Sequence, residues 1–127
     1  MCEELSYANF NLIGVNFIPS RLRELTQLPL VSIIEHKEDN KKIKKNPPRF
    51  GLAAIYVVDR NNNIESILCS VEEYCDILLK HKGAITATNL HEINISIFTS
   101  SKKFSISEEL IKKMALLDAS FCVINLP

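Results

Sequence analysis

Glycine and tryptophan are the residues that this sequence uses least. It contains no tryptophan and only three glycines, Gly14, Gly51 and Gly83, among 127 residues. Phosphate-binding loops of nucleotide enzymes need several glycines at short, fixed spacings, and these three lie far apart in the chain. The sequence therefore excludes a glycine-rich nucleotide site.

The chain also lacks an excess of charge and a long apolar run. Lys plus Arg and Asp plus Glu both total 15, so the composition does not indicate a nucleic-acid partner. The longest uncharged apolar run, residues 50–58, is too short to cross a bilayer, and nothing resembles a secretory signal. We expect a soluble, cytoplasmic protein without a membrane partner, and its length fits a single domain over residues 1–127.

Cysteine and histidine are present, but not at ligand spacing. The four cysteines, Cys2, Cys69, Cys75 and Cys122, accompany no secretory signal, so we expect reduced thiols and no disulfide. Their main interpretation is small buried side chains, and a nucleophilic cysteine is the alternative. The three histidines, His36, His81 and His91, lie in separate segments. We predict no metal and no cofactor.

Catalytic motifs are equally missing. No serine stands in a nucleophile elbow, and no pair of carboxylates has a spacing that argues for acid–base chemistry. The sequence predicts no enzyme activity.

Hydrophobic periodicity predicts four main strands. Residues 7–15 and 93–98 alternate between apolar and polar side chains, which is typical of strands with one solvated face. Residues 50–59 and 121–124 are apolar on both faces, which predicts strands inside the sheet. Residues 31–34 form a possible fifth strand, and residues 64–68 either form a short strand or lead into the next helix.

Three helices are predicted between these strands. The first opens at Pro19 and stops before Pro29. The second begins at Ser70, with Glu73 as the partner in a capping box, and ends at Gly83. Its apolar stripe consists of Val71, Tyr74, Cys75, Leu78 and Leu79.

The third helix follows a second predicted capping box, formed by Ser105 and Glu108. Residues 118–120 break the helix before the last strand. Its apolar stripe consists of Ile106, Leu110, Ile111, Met114 and Leu117.

The order β-α-β-α-β-α-β predicts an α+β layered domain with a mixed or mostly antiparallel sheet. The helices are expected to cover one face of the sheet. The predicted core contains Phe10, Leu12, Leu25, Val57, Leu78, Ile95, Leu110, Met114 and Val123.

Charge is unevenly distributed. A predicted surface loop at about residues 35–49 is basic, because six basic and two acidic residues lie between Lys37 and Arg49. The second helix carries an acidic outer face. Either patch is usually only solvated, but each is a candidate for partner contact. The candidate contact residues are Lys41, Lys42, Lys44, Lys45, Glu72, Glu73 and Asp76.

Both ends of the chain resemble a small bacterial family, domain of unknown function 4279. At the start, a strand with Gly14 is followed by Phe17-Ile18-Pro19, a short helix and Leu28-Pro29. At the end, a serine-led helix, residues 110–117, runs through Asp118-Ala119-Ser120-Phe121 into the last strand. The chain has no tryptophan, a residue common in the family's middle strand.

The resemblance implies a function and no catalytic residues. Members of this family resemble the small proteins encoded beside bacterial toxins as immunity partners. We therefore expect a bacterial, non-catalytic immunity protein that neutralises a cognate toxin or effector protein by direct contact. A homodimer is compatible with the sequence. The alternative is a stand-alone ligand-binding or regulatory domain, which would show an apolar pocket with a few convergent polar groups.

Overall fold

The computed structural model describes residues 4–34 and 50–127. The predicted basic loop, with Lys41, Lys42, Lys44 and Lys45, lies outside the described residues, as do Cys2 and His36. The elements in chain order are β1 (Ser6–Val15), α1 (Pro19–Thr26), β2 (Val31–Ile34), β3 (Phe50–Val58), α2 (Ile64–Lys80), α3 (Lys82–Ile85), a 3-10 turn (Thr86–Thr88), β4 (Glu92–Thr99), α4 (Glu108–Leu116) and β5 (Ser120–Asn125).

The five strands form one mixed sheet in the order β2-β3-β1-β4-β5. All neighbouring pairs are antiparallel except β4 and β5, which α4 connects in parallel. The α+β class and the mostly antiparallel sheet are confirmed. The predicted order β-α-β-α-β-α-β differs slightly, because the described residues contain β2 as a fifth strand and α3 as a fourth α-helix.

The core lies between one face of the sheet and the helices. Alternate residues of β1, β3 and β4 are buried on this face, and Phe10 of β1 meets Tyr74 of α2 edge-on, with ring centroids 6.0 Å apart. Seven of the nine predicted core residues are buried, and the other two, Leu25 and Val123, are partly buried and pack against the core.

Gly14 and Gly51 face each other across β1 and β3 on the helix side of the sheet. Neither has a positive φ. A Cβ on Gly14 would lie 1.8 Å from the carbonyl oxygen of Asn89, and one on Gly51 would lie 2.1 Å from that of Phe17. The glycines are required because two backbone segments lie directly on the sheet there.

Helix α2 begins six residues earlier than predicted. Its N-cap is Asn63, whose side chain accepts hydrogen bonds from the backbone N–H groups of Glu65 and Ser66. The predicted capping box of Ser70 and Glu73 is wrong, because Ile64 and Ile67 extend the same buried stripe backwards by two turns. Of the two options for residues 64–68, the one leading into the helix is correct.

The predicted C-cap of α2 is also wrong. The helix ends at Lys80 with His81 as its C-cap, and the chain continues at once into α3. Gly83 lies within α3, in open space.

Helix α4 begins two residues later than predicted. Ser107 is the N-cap, because its Oγ accepts from the backbone N–H of Leu110 at 3.1 Å. The Ser105 capping box is therefore wrong. Leu110, Met114 and Leu117 form the buried face, and Ile111, predicted to join them, is 52% exposed because it lies about 100° around the helix from Leu110.

The end of α4 has the hydrogen bonds of a Schellman motif. The N–H of Ala119 donates to the carbonyl of Met114, and that of Asp118 donates to the carbonyl of Ala115. Asp118 has a φ of 55°, in the left-handed region. The predicted break before the last strand is confirmed.

Strand β5 lies at the edge of the sheet, not inside it as its apolar composition predicted. Phe121 and Val123 pack partly against the core, while Cys122 and Ile124 point to the other face and are exposed. Apolar residues on both faces of a strand do not show whether the strand lies inside the sheet or at its edge. An edge strand also has apolar residues on both faces when the face opposite the core is uncovered.

Candidate functional site

The face of the sheet opposite the helices is the most distinctive surface of the described chain. We call it the open sheet face. Strand register brings its residues into rows, in which Tyr7 lies between Val58 and Phe98, and Asn9 lies between Tyr56 and Ser96. On β1, β3, β4 and β5 it consists of Tyr7, Asn9, Asn11, Ile13, Val15, Phe50, Leu52, Ala54, Tyr56, Val58, Glu92, Asn94, Ser96, Phe98, Ser120, Cys122 and Ile124.

The open sheet face carries little charge and is partly apolar. Glu92, opposite Ile13 at the start of β4, is the one charged residue that these four strands place on it. Val58 is 77% exposed and Tyr56 is 55% exposed. Large apolar side chains grouped on one sheet face are typical of an interaction surface, whereas single exposed ones are ordinary.

An aromatic pair stiffens this face. The rings of Tyr7 and Phe98 stack with centroids 4.7 Å apart and planes 15° from parallel. Tyrosine is a common anchor in protein interfaces, because its ring adds contact area and its hydroxyl still reaches a hydrogen-bond partner.

Asn9 carries an unsatisfied acceptor at the centre of the open sheet face. Its Oδ1 is shielded from solvent and has no hydrogen-bond partner. Such groups are rare in native proteins and cost free energy. A β-branched residue would suit the strand better at this position, so Asn9 is a candidate residue for partner contact.

Part of the predicted acidic face of α2 forms salt bridges with α4. Lys113 of α4 lies with its Nζ 2.9 Å from Asp76 Oδ1 and 3.4 Å from Glu72 Oε2. The hydrogen bond to Asp76 and the attraction of both carboxylates raise the pKa of Lys113, against partial desolvation. Glu73 is exposed one residue away from Glu72. Two of the three acidic candidates thus contact the protein's own lysine, and their role in partner binding stays a prediction.

The described cysteines are free thiols. The interpretation as small buried side chains is wrong for Cys69 and Cys122, which are exposed, and correct for Cys75. Desolvation and then the negative charge of Asp76 raise the pKa of the Cys75 thiol to about 12. A thiol with so high a pKa is a poor nucleophile. Cys122 Sγ lies 3.4 Å from Ser96 Oγ on the open sheet face. Within residues 4–34 and 50–127, no three His, Cys, Asp or Glu side chains converge as metal ligands would.

A polar surface cavity of about 600 Å³ lies at the start of α2. Side chains of both charge signs line it, including Glu4, Arg60 and Lys103, and Ile64 is its only aliphatic lining residue. This is not the apolar pocket that a stand-alone ligand-binding domain would show.

Sequence reasoning identified parts of the open sheet face but not the whole. The polar positions of β1 and β4 follow from their alternation, whereas β3 is apolar on both faces, so the sequence does not show that Tyr56 and Val58 lie on an uncovered face. The sequence does not show which strands pair. Tyr56 is placed in the same row as Asn9 and Ser96 only when the register of the strands is known.

No helix in the described part of the chain has both the length and the apolar character needed to cross a bilayer. Comparison with models of known protein families, with curated protein sequences and with solved structures finds no match to this chain.

Proposed function

We propose that this protein is a non-catalytic binding protein, an immunity protein that neutralises a cognate toxin by direct contact through the open sheet face. The observation that carries the proposal is this helix-free surface, which has Glu92 as its one charged strand residue and exposes Tyr56 and Val58. The toxin as partner comes from the resemblance of both chain ends to domain of unknown function 4279.

The size of the open sheet face suits a protein partner. Four strands about 4.8 Å apart and about eight residues long cover on the order of 500 Å². A standard protein interface buries roughly 800 Å² on each partner. The open sheet face would thus supply the centre of such an interface, and the surrounding loops its rim.

The chemistry of the face specifies the kind of contact. Asparagine and serine side chains at the centre are flanked by aromatic and aliphatic ones, and this scarcity of charge matches interface cores, which are depleted in charged residues. We therefore expect the partner to present apolar and hydrogen-bonding groups there. Association through this face should depend only weakly on salt, because few counter-charges are involved.

The test is co-purification and toxicity rescue with the protein encoded by the neighbouring gene. The parent chain should bind this protein stoichiometrically and protect cells that express it. Tyr56→Glu combined with Val58→Glu should abolish both effects, because it places two charges in a desolvated interface. Both positions are exposed, so the fold should survive, as circular dichroism would verify.

A matched control tests the rival surface. Glu73→Lys reverses a charge on the exposed side of α2 and leaves the salt bridges of Lys113 with Glu72 and Asp76 intact, so it should leave rescue intact. If the helix variant fails and the sheet variant protects, the immunity function stands but the contact surface is the acidic helix face. If the neighbouring protein does not bind at all and the purified chain carries a small molecule, the ligand-binding alternative replaces the proposal.

A further inference from the structure

We propose that β5 pairs with β5 of a second copy of this chain, so that two sheets join into one across a two-fold axis. This inference does not depend on the proposed function. It begins from the free edge of β5, since within the described residues only β4 pairs with this strand.

One hydrogen bond shows which backbone N–H and C=O groups of β5 face β4. The N–H of Leu126 donates to the carbonyl of Thr99 in β4 at 2.8 Å. Because the N–H and C=O of successive strand residues point to opposite sides, Cys122 and Ile124 also face β4. The N–H and C=O groups of Phe121, Val123 and Asn125 therefore point away from the sheet.

The two edges of the sheet differ in their protection. Strand β2, at the far edge, has four residues and an irregular register between Ser32 and Ile34. Short length and bulges are devices that prevent edge pairing. Strand β5 has six residues, regular register, and neither a charged residue nor proline.

Only one symmetric register uses all of the outward groups. An antiparallel pair centred on Val123 places Val123 opposite Val123 of the second copy and Phe121 opposite Asn125. Each of these pairs exchanges two backbone hydrogen bonds, about six in total. Centring the axis on Cys122 would pair Phe121 with Val123 in both directions but would leave Asn125 beyond the end of the partner strand.

Helix α4 offers a second contact above this edge. Lys113 marks the flank that meets α2, and Ile111 lies on the opposite flank, about 160° away around the helix. That flank is on the side of the β5 edge, because α2 contacts β1 and β3. Ile111, exposed at 52%, would meet the second copy's α4 across the axis.

A second copy is the occupant because this surface complements itself. A two-fold axis opposes each group to the same patch, which is unfavourable for charged residues but suits an uncharged strand with Ile111 beside it. Glu108, one turn before Ile111 on α4, is the charged residue on this flank. The contact would cover roughly 400 Å² on each copy, given a strand about 20 Å long and two layers. This lies at the low end for specific interfaces, so we expect a weak dimer that depends on concentration.

Sedimentation velocity of the full chain across micromolar to millimolar concentrations is the first test. We expect a monomer that converts to a dimer as concentration rises. Ile111→Glu should weaken the dimer by about tenfold or more, because it replaces two apolar contacts with two like charges near the axis. Leu116→Glu, at an exposed position on another flank of α4, is the matched control and should not.

Amide hydrogen exchange supplies a readout specific to the register. Protection of the Val123 and Asn125 amides should increase with concentration, whereas the Cys122 amide should be protected throughout. Asn125→Pro, which removes an outward N–H, should abolish the dimer, and Asn125→Ala should retain it. A chain that stays monomeric, or a dimer that Ile111→Glu and Asn125→Pro both leave intact, would overturn the inference.

Discussion

Replacing Gly14 by alanine tests the close contact between the sheet and the segment that precedes β4. The new Cβ would lie 1.8 Å from the carbonyl oxygen of Asn89 and 3.0 Å from Phe17 Cβ. Asn89 has little freedom to move, because its φ is 67° and its Nδ2 donates to the carbonyl of Asn16. The adjacent N–H of His91 also donates to the carbonyl of Ile13 in β1.

The magnitude follows from two opposing effects. Overpacking of this kind costs about 1–3 kcal/mol, and a backbone obstacle places the cost at the upper end. Alanine recovers about 0.4–1 kcal/mol by restricting the unfolded chain. We expect a net loss of about 2 kcal/mol, or a fall in Tm of roughly 6–12 °C for a domain of this size.

Gly83→Ala is the matched control for this prediction. Gly83 lies in α3 with no heavy atom within 4 Å of an added Cβ. The same substitution should stabilise the protein there by about 0.5–1 kcal/mol, because alanine is the better helix former. Thermal and urea unfolding measure both variants. If Gly14→Ala unfolds at the temperature of the parent, Asn89 does not lie against β1 as described.

Four further predictions follow from the same structure. Cys75 should resist thiol reagents at pH 8, while the exposed Cys69 and Cys122 react. Because its pKa is raised on folding, the stability that Cys75 contributes should be complete below about pH 9 and should be lost as pH rises towards 12. Alkaline unfolding of the parent and of Cys75→Ala measures this loss. Asp118→Gly should raise stability by about 1 kcal/mol in urea unfolding, because it relieves a positive φ and removes a negative charge from a helix C-terminus. A stability no higher than that of Asp118→Asn would leave the backbone effect unsupported. Asn9→Val should stabilise the isolated protein by about 1 kcal/mol yet weaken partner binding, and stronger binding would contradict the role given to Asn9. Leu78→Ala should cost about 2–5 kcal/mol in thermal unfolding, since this side chain is fully buried.

The elements of the fold were predictable from the sequence because their signals are periodic. Phe10 and Leu12 in β1, and Leu110 and Met114 in α4, repeat at strand and helix spacing, and the structure buries all four. These positions depend on local pattern and the need to bury apolar area, both of which a single sequence contains.

Helix boundaries were not predictable, because several residues compete for each cap. Ser105 and Ser107 are both good N-caps, and the choice between them depends on which register puts Leu110 in the core. In the same way, Asn63 and Ser70 are both possible N-caps of α2, and the structure uses Asn63. Asp59 Oδ2 accepts from the backbone N–H groups of Asn61 and Asn63, which fixes the turn that starts α2 early.

The candidate site was the least predictable feature because it depends on strand order. Tyr56 and Val58 have the composition of core residues, and Ile124 has that of an inner strand. Only pairing across β3, β1, β4 and β5 shows that these side chains share an uncovered face. Cys75, in contrast, was correctly predicted as buried because it belongs to the apolar stripe of a helix.

Chemical-shift mapping of the complex with the neighbouring gene product tests the central claim most directly. In the labelled protein, binding should perturb amides of β1, β3 and β4, with Tyr7, Asn9 and Tyr56 among the largest shifts. The complex should persist at high salt, since Glu92 at one end is the only charged residue that these strands place on the open sheet face. Perturbations confined to the helix side of the sheet, or to Glu72 and Glu73 on α2, would contradict the account.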